Sequence, residues 1–124
     1  MKAKPLAAAV LCMFALGSAA KTAWEFNYAP FKGEYVIYAG GIGDALPPTS
    51  TDKKLSFFVT GKMARDVFDA IGPDLKNACG SGDGVRMRQR NDERIACSFH
   101  PKDGYQCYFG FDLVTGRSIA GVVC

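Results

Sequence analysis

The sequence predicts an α+β domain: a small, mainly antiparallel sheet with one helix packed on one face and two disulfides. Three observations carry that expectation. Several short runs alternate apolar and polar residues with a period of two. A single stretch, Lys62 to Ile71, has helical spacing instead. Four cysteines lie between Cys79 and Cys124, where a small domain needs cross-links to supplement a limited core.

The chain has 124 residues, the length of one domain. Residues 1–20 read as a signal peptide. Lys2 and Lys4 form the positive region, Leu6 to Leu16 is the apolar run, and Ser18-Ala19-Ala20 offers small residues before Lys21. The apolar run is shorter than the ~20 residues a membrane-spanning helix needs. Cys12 falls inside it, and Leu11 occupies the place where a lipoprotein needs a small residue, so Cys12 is expected to leave with the peptide. Residues 21–124 are then one domain, periplasmic or secreted, with four cysteines and no transmembrane segment. Loss of Lys2 and Lys4 leaves 13 basic against 12 acidic side chains, a net charge of +1. A near-neutral domain is a poor nucleic-acid binder, because phosphate neutralisation needs concentrated positive charge.

Residues 21–32 are rich in aromatics. Trp24, Phe26 and Tyr28 alternate, which predicts an arm pinned to the core or a first edge strand, with a peptide- or glycan-binding aromatic strip as the sharper alternative. Gly33 to Ala39 is a strand by its β-branched and aromatic content. Residues 40–54, dominated by Gly, Pro, Thr, Ser, Asp and Lys, read as a surface loop. The Gly40-Gly-Ile-Gly43 run lacks the spacing of a phosphate-binding loop. Leu55 to Thr60 is the next strand. In the helix, Met63, Ala64, Val67, Phe68 and Ile71 form the stripe that should pack on the sheet. Arg65 and Asp69, four apart, can pair on the outer side. Gly72-Pro73 ends it.

Val85 to Arg90 and Arg94 to Phe99 read as a hairpin about the polar break Asn91-Asp92-Glu93. Tyr105 to Leu113 alternates strictly, placing Tyr105, Cys107, Phe109, Phe111 and Leu113 on one face. Arg117 to Cys124 is expected to return as its hairpin partner. A two-residue Thr115-Gly116 turn sets Cys107 opposite Cys124, with Cα atoms ~4.5 Å apart in a non-hydrogen-bonded pair. A bulge at Gly116 sets Val123 opposite Cys107 instead, and Thr115, being β-branched, favours the bulge. Either way the expected bridges are Cys107–Cys124 and Cys79–Cys97. Four cysteines allow three pairings, and the spacing leaves the other two open.

The most concentrated polar pattern is Arg86, Arg88 and Arg90, alternating on one strand face, with Arg94 across the turn. Guanidinium forks match carboxylate and phosphate oxygens, which points to a binding face for an acidic protein or an anionic envelope ligand. The plainer expectation is a solvated face with Asp83, Asp92 and Glu93 offsetting its charge. His100 sits in the turn Phe99-His-Pro-Lys-Asp-Gly104 and is expected to be a loop histidine. Cys97-x-x-His100 has zinc-ligand spacing, but cysteines in an exported chain serve as bridges, and one histidine cannot build a three-histidine site. Ser98 and Asp103 flank His100 without a nucleophile-elbow pattern. Glu25, Glu34, Asp44 and Asp112 are uncommitted carboxylates with nothing to single out a catalytic pair. No catalytic residue, metal or cofactor is therefore assigned.

The runs Phe68-Asp-Ala-Ile-Gly-Pro-Asp74, Cys79-Gly80 and Gly104-Tyr-x-Cys-Tyr-Phe-Gly-Phe-Asp-Leu-x-Thr-Gly116 resemble those of small exported bacterial disulfide-containing proteins of unassigned function. The resemblance covers the C-terminal half and implies export and disulfides. Together these features lead to the expectation of a small binding module, of the inhibitor or immunity type. The alternatives are an envelope hydrolase using carboxylates and a structural envelope component.

Overall fold

The computed structural model describes residues 3, 17–19, 22–80 and 82–123. The expected signal peptide, with Cys12, lies almost wholly outside the described residues, as does Cys124. The elements run β1 (Lys32–Gly41), β2 (Asp44–Leu46), β3 (Lys54–Thr60), α1 (Gly61–Ala70), β4 (Arg86–Arg90), β5 (Ile95–His100), β6 (Gly104–Asp112) and β7 (Ser118–Ile119). All strand pairs are antiparallel, in the spatial order β2-β1-β3-β6-β5-β4, with β7 on β6. One helix covers one face of a mainly antiparallel sheet.

The helix forms where the period changes from two to that of α-structure, and its stripe faces the sheet as the spacing requires. Ala64 and Phe68 are fully buried, Ile71 is buried at the helix end, and Met63 and Val67 flank them. They pack on Val59 of β3, Cys107 of β6 and Cys97 of β5, so the core lies under the helix at the middle of the sheet. Arg65 and Asp69 pair across one turn on the outer side, at 3.8 Å.

Within the stretch expected to be a loop, residues 44–46 fold back on β1. Gly41 pairs with Asp44, so Ile42-Gly43 is a two-residue turn and β2 a short third strand of that corner. The Gly40 amide donates to Asp52 Oδ2 at 2.9 Å, and Lys54 pairs with the same carboxylate. Residues 22–31 form no strand, and Trp24, Phe26 and Tyr28 are exposed. Their rings touch one another, 6.3 and 5.4 Å between neighbouring centroids. The aromatic arm is therefore not pinned to the core by these rings.

The disulfides differ from the expected pairing. β5 and β6 form a hairpin of their own, closed by Pro101-Lys102-Asp103, with His100 opposite Gly104. Gly104 has φ +80°, a left-handed conformation that glycine adopts without cost. Counting back from that turn sets Cys97 directly opposite Cys107, and the two are bonded, with Cα atoms 4.0 Å apart. Neither Cys79–Cys97 nor Cys107–Cys124 is formed. The C-terminal register is also different: Gly110 pairs with Ile119 and Phe111 with Ser118. β6 already has β3 on one side and β5 on the other as far as Phe109, so β7 takes only the short edge beyond the end of β5.

Asp112 sets the turn between β6 and β7. Its Oδ1 accepts the amides of Val114 at 2.8 Å and Thr115 at 3.1 Å, an Asx-type turn. These two amides hold the Asp112 carboxyl below its usual range, since they stabilise the charged form. The chain after β7 then crosses the face away from the helix. A Cβ on Gly110 would lie 2.6 Å from the Ala120 carbonyl oxygen, and one on Gly121 closer still to Phe109. Ser56, buried on that face, donates to the Gly121 carbonyl at 2.6 Å.

Candidate functional site

Strand register decides where the arginines lie. Arg86, Arg88 and Arg90 stand opposite Phe99, Cys97 and Ile95. They are therefore on the helix side of the sheet, not on a solvated outer face. Arg88 lies over the Phe68 ring, its guanidinium carbon 4.2 Å from the centroid, and that of Arg86 is 5.1 Å away. Arg88 Nη1 donates to the Phe68 carbonyl at 2.8 Å, and Arg90 Nη2 donates to the Gly72 carbonyl. Carbonyls at a helix C-terminus lack intrahelical partners and carry partial negative charge, so cations are favoured there.

The counter-charge is Asp74. Arg86 Nε reaches its Oδ2 at 2.8 Å, Arg86 Nη2 its Oδ1 at 3.2 Å, and Arg88 Nε its Oδ1 at 2.7 Å. These hydrogen bonds, from Arg86 first and then Arg88, pull the Asp74 carboxyl down to about 2. The same bond to Asp74 raises the Arg86 guanidinium further. Asp83, Asp92 and Glu93 were the acids expected nearby, yet Asp74 is the one that converges. It directly follows the helix-ending Gly72-Pro73, and the packing of α1 on the sheet, with the Leu75 amide bonded to the Met87 carbonyl, brings it there. Arg94 is exposed in the turn, with its backbone amide bonded to the Asn91 carbonyl at 3.2 Å. The four candidate arginines are thus divided: three clasp the end of α1, and Arg94 stands apart.

The helix does not cover the whole of its face. Beyond it, Tyr35 and Ile37 of β1, Leu55 and Phe57 of β3, and Phe109 and Phe111 of β6 share that face by register. Phe57 stacks on Phe109 and Phe111, with centroids 5.0 and 6.3 Å apart. Tyr35 is 75 % exposed and Ile37 37 %. A shallow apolar groove of about 410 Å³ runs between Phe31 and these side chains. Among the described residues, no strand pairs the outer side of β1 from Lys32 to Tyr38; β2 pairs only residues 39–41. An unpaired edge leaves backbone N–H and C=O groups open to another chain.

Cys97 is bonded to Cys107 and so is not a zinc thiolate beside His100. His100 is in β5, half-buried, on the same side of the sheet as Ser98, two residues away. Among the described residues, no hydrogen bond joins Ser98, His100 and Asp103 through their side chains. Of the uncommitted carboxylates, Asp112 is taken by its turn, and Glu34, Asp44 and Glu25 lie on β1, β2 and the aromatic arm. No group of three or more His, Cys, Asp or Glu side chains gathers among the described residues. No helix among them is long and apolar enough to cross a membrane, which leaves β-strand spanning unaddressed.

Comparison with protein-family models, with curated proteins and with solved structures returns no match to this chain. The roles of its residues rest on its own geometry.

Proposed function

We propose that this protein is an exported, disulfide-stabilised binding module that takes an extended segment of a protein partner along β1, in the manner of an inhibitor or immunity protein. The observation that carries the reading is the outer edge of β1, which no described strand pairs from Lys32 to Tyr38, beside exposed Tyr35, Val36 and Ile37. A strand added at such an edge gains main-chain hydrogen bonds, and alternate side chains of the partner would lie on the apolar apron, which supplies selectivity. Lys32 and Glu34 flank the same edge and can match charges on the added strand. Export is supported by the charged-then-apolar N-terminal residues and by the Cys97–Cys107 bridge, since disulfides persist in oxidising compartments. The arginine row fits this proposal as a brace for α1 rather than as the contact surface.

The test pairs capture with exchange. The wild-type chain is used to retain partners from periplasmic and secreted extracts, beside Tyr35→Lys/Ile37→Lys and Arg94→Ala. The expected result is a stoichiometric protein partner held by wild type and Arg94→Ala, lost by the double variant, and protecting amides 32–38 from hydrogen exchange. A partner retained by the double variant, or protection elsewhere, overturns the β1-edge reading.

A further inference from the structure

The sheet face turned away from α1 carries a concavity of about 490 Å³, within the ~300–1,000 Å³ common for small-molecule sites. Its floor is made by Met87 and Gln89 of β4, Ala96, Ser98 and His100 of β5, and Tyr108 of β6. Register places these side chains together: Met87 stands opposite Ser98, Gln89 opposite Ala96, and Ala96 opposite Tyr108. One wall is the loop from Leu75 to Gly80, tied to the sheet by the Leu75 amide donating to the Met87 carbonyl at 2.8 Å. The other wall is Val122 and Val123. This side of the sheet is opposite the arginine row and separate from the β1 edge.

The lining has an unusual balance. Gln89, Ser98, His100 and Tyr108 bring hydrogen-bonding groups, whereas among the described residues no lysine or arginine lines the space and Glu93 is the one carboxylate. Ser98 is only 5 % exposed and lines the concavity, where its hydroxyl can both donate to and accept from a guest. Burial pushes the Tyr108 phenol up, so it stays neutral and can donate as well as accept. Among the described residues an anion would find no lysine or arginine here, and an ionised group left unpaired is disfavoured on burial. Leu75, Met87, Val122 and Val123 offer apolar surface around the polar floor.

We propose that this concavity binds one small uncharged amphipathic molecule, with an amide or hydroxyl head on the Ser98–His100–Tyr108 floor and an apolar body against Leu75, Met87 and Val123. The site is independent of the strand-binding edge on β1, so either can stand without the other.

The test uses two fluorescent probes with one aromatic skeleton: uncharged N-phenyl-1-naphthylamine and anionic 8-anilinonaphthalene-1-sulfonate. Each is titrated into the oxidised full chain. The expected result is saturable binding of one equivalent of the uncharged probe, roughly tenfold or more tighter than the sulfonate. Val123 is 56 % exposed, so Val123→Trp can fill the concavity from its rim without entering the core; it should weaken the uncharged probe roughly tenfold or more. Ser98→Ala removes the hydroxyl without adding volume and should weaken it by about three- to tenfold. Ile37→Lys, on the other face, should leave binding unchanged. The proposal is overturned by absence of saturable binding, by equal affinity for the two probes, or by loss with Ile37→Lys while Val123→Trp binds as wild type.

Discussion

Replacing Arg88 by alanine tests what the arginine row does. The Arg88 side chain is 15 % exposed, lies 4.2 Å from the Phe68 centroid and donates to the Phe68 carbonyl at 2.8 Å. A largely desolvated cation–π contact is worth about 1–2 kcal/mol. The hydrogen bond from a charged donor contributes about 1–2 kcal/mol more. The bond to Asp74 is open to solvent, and Arg86 remains to hold that carboxylate, so it adds little. Arg88→Ala should therefore cost about 2–4 kcal/mol, lowering the midpoint of thermal unfolding by roughly 10–30 °C for a domain of this size. Circular dichroism melts at neutral pH read this directly. Arg88→Met, which keeps the apolar stem over Phe68, should recover part of the loss. Arg94→Ala should stay within about 0.5 kcal/mol of wild type. An Arg88→Ala protein melting within a degree or two of wild type would refute the brace and return the row to a role in binding.

Three further expectations follow from the same geometry. The Asp74 carboxyl is held at about 2 against an ordinary 3.8, so its contribution to stability is fully present above about pH 5 and is lost as pH falls through 4 towards 2; melts of Asp74→Asn and wild type should differ at pH 7 and converge near pH 2, and a constant difference would contradict the ion cluster. In a non-reduced tryptic digest, the peptide 95–102 should be linked to 103–117 through Cys97 and Cys107. Cys79 and Val123 line one concavity, so peptide 77–86 should be linked to 118–124; a link from 103–117 to 118–124 would overturn the register of β6. Gly121→Ala, whose Cβ would press on the Phe109 backbone, should cost about 1–3 kcal/mol by urea unfolding, whereas Gly41→Ala, with open space around it, should be nearly neutral.

Much of the fold was legible because the signals are local. Alternation in 55–60 and 105–113 and the 3.6-residue spacing of Met63, Val67 and Ile71 each follow from how successive side chains project from one backbone. A few neighbours suffice to read them, and β3, β6 and α1 appear where that reading puts them. The β4–β5 hairpin about Asn91-Asp92-Glu93 was legible for the same reason; these three residues adopt positive φ, which Asn and Asp tolerate well. The short β2 was missed because three residues among Gly and Pro carry no periodicity, and its pairing is set by the Ile42-Gly43 turn.

The site was less legible, because it depends on which strands become neighbours. Arg86, Arg88 and Arg90 were visible as one face, but whether that face met solvent or helix depended on the β4–β5 pairing and on α1 crossing the same side. Asp74 carries no motif and acquires its role only when the helix end docks beside Arg86 and Arg88. The pocket floor of Ser98, His100 and Tyr108 needs β5 and β6 in their observed register, as do the cysteines. The amphipathic helix, the alternating strands and the cross-linkable cysteines follow from residue order alone, since these are properties of short segments. That Cys97 meets Cys107, that the arginines brace a helix, and that no described strand covers the outer edge of β1 from Lys32 to Tyr38 follow from the folded chain, because each depends on contacts between residues distant along it.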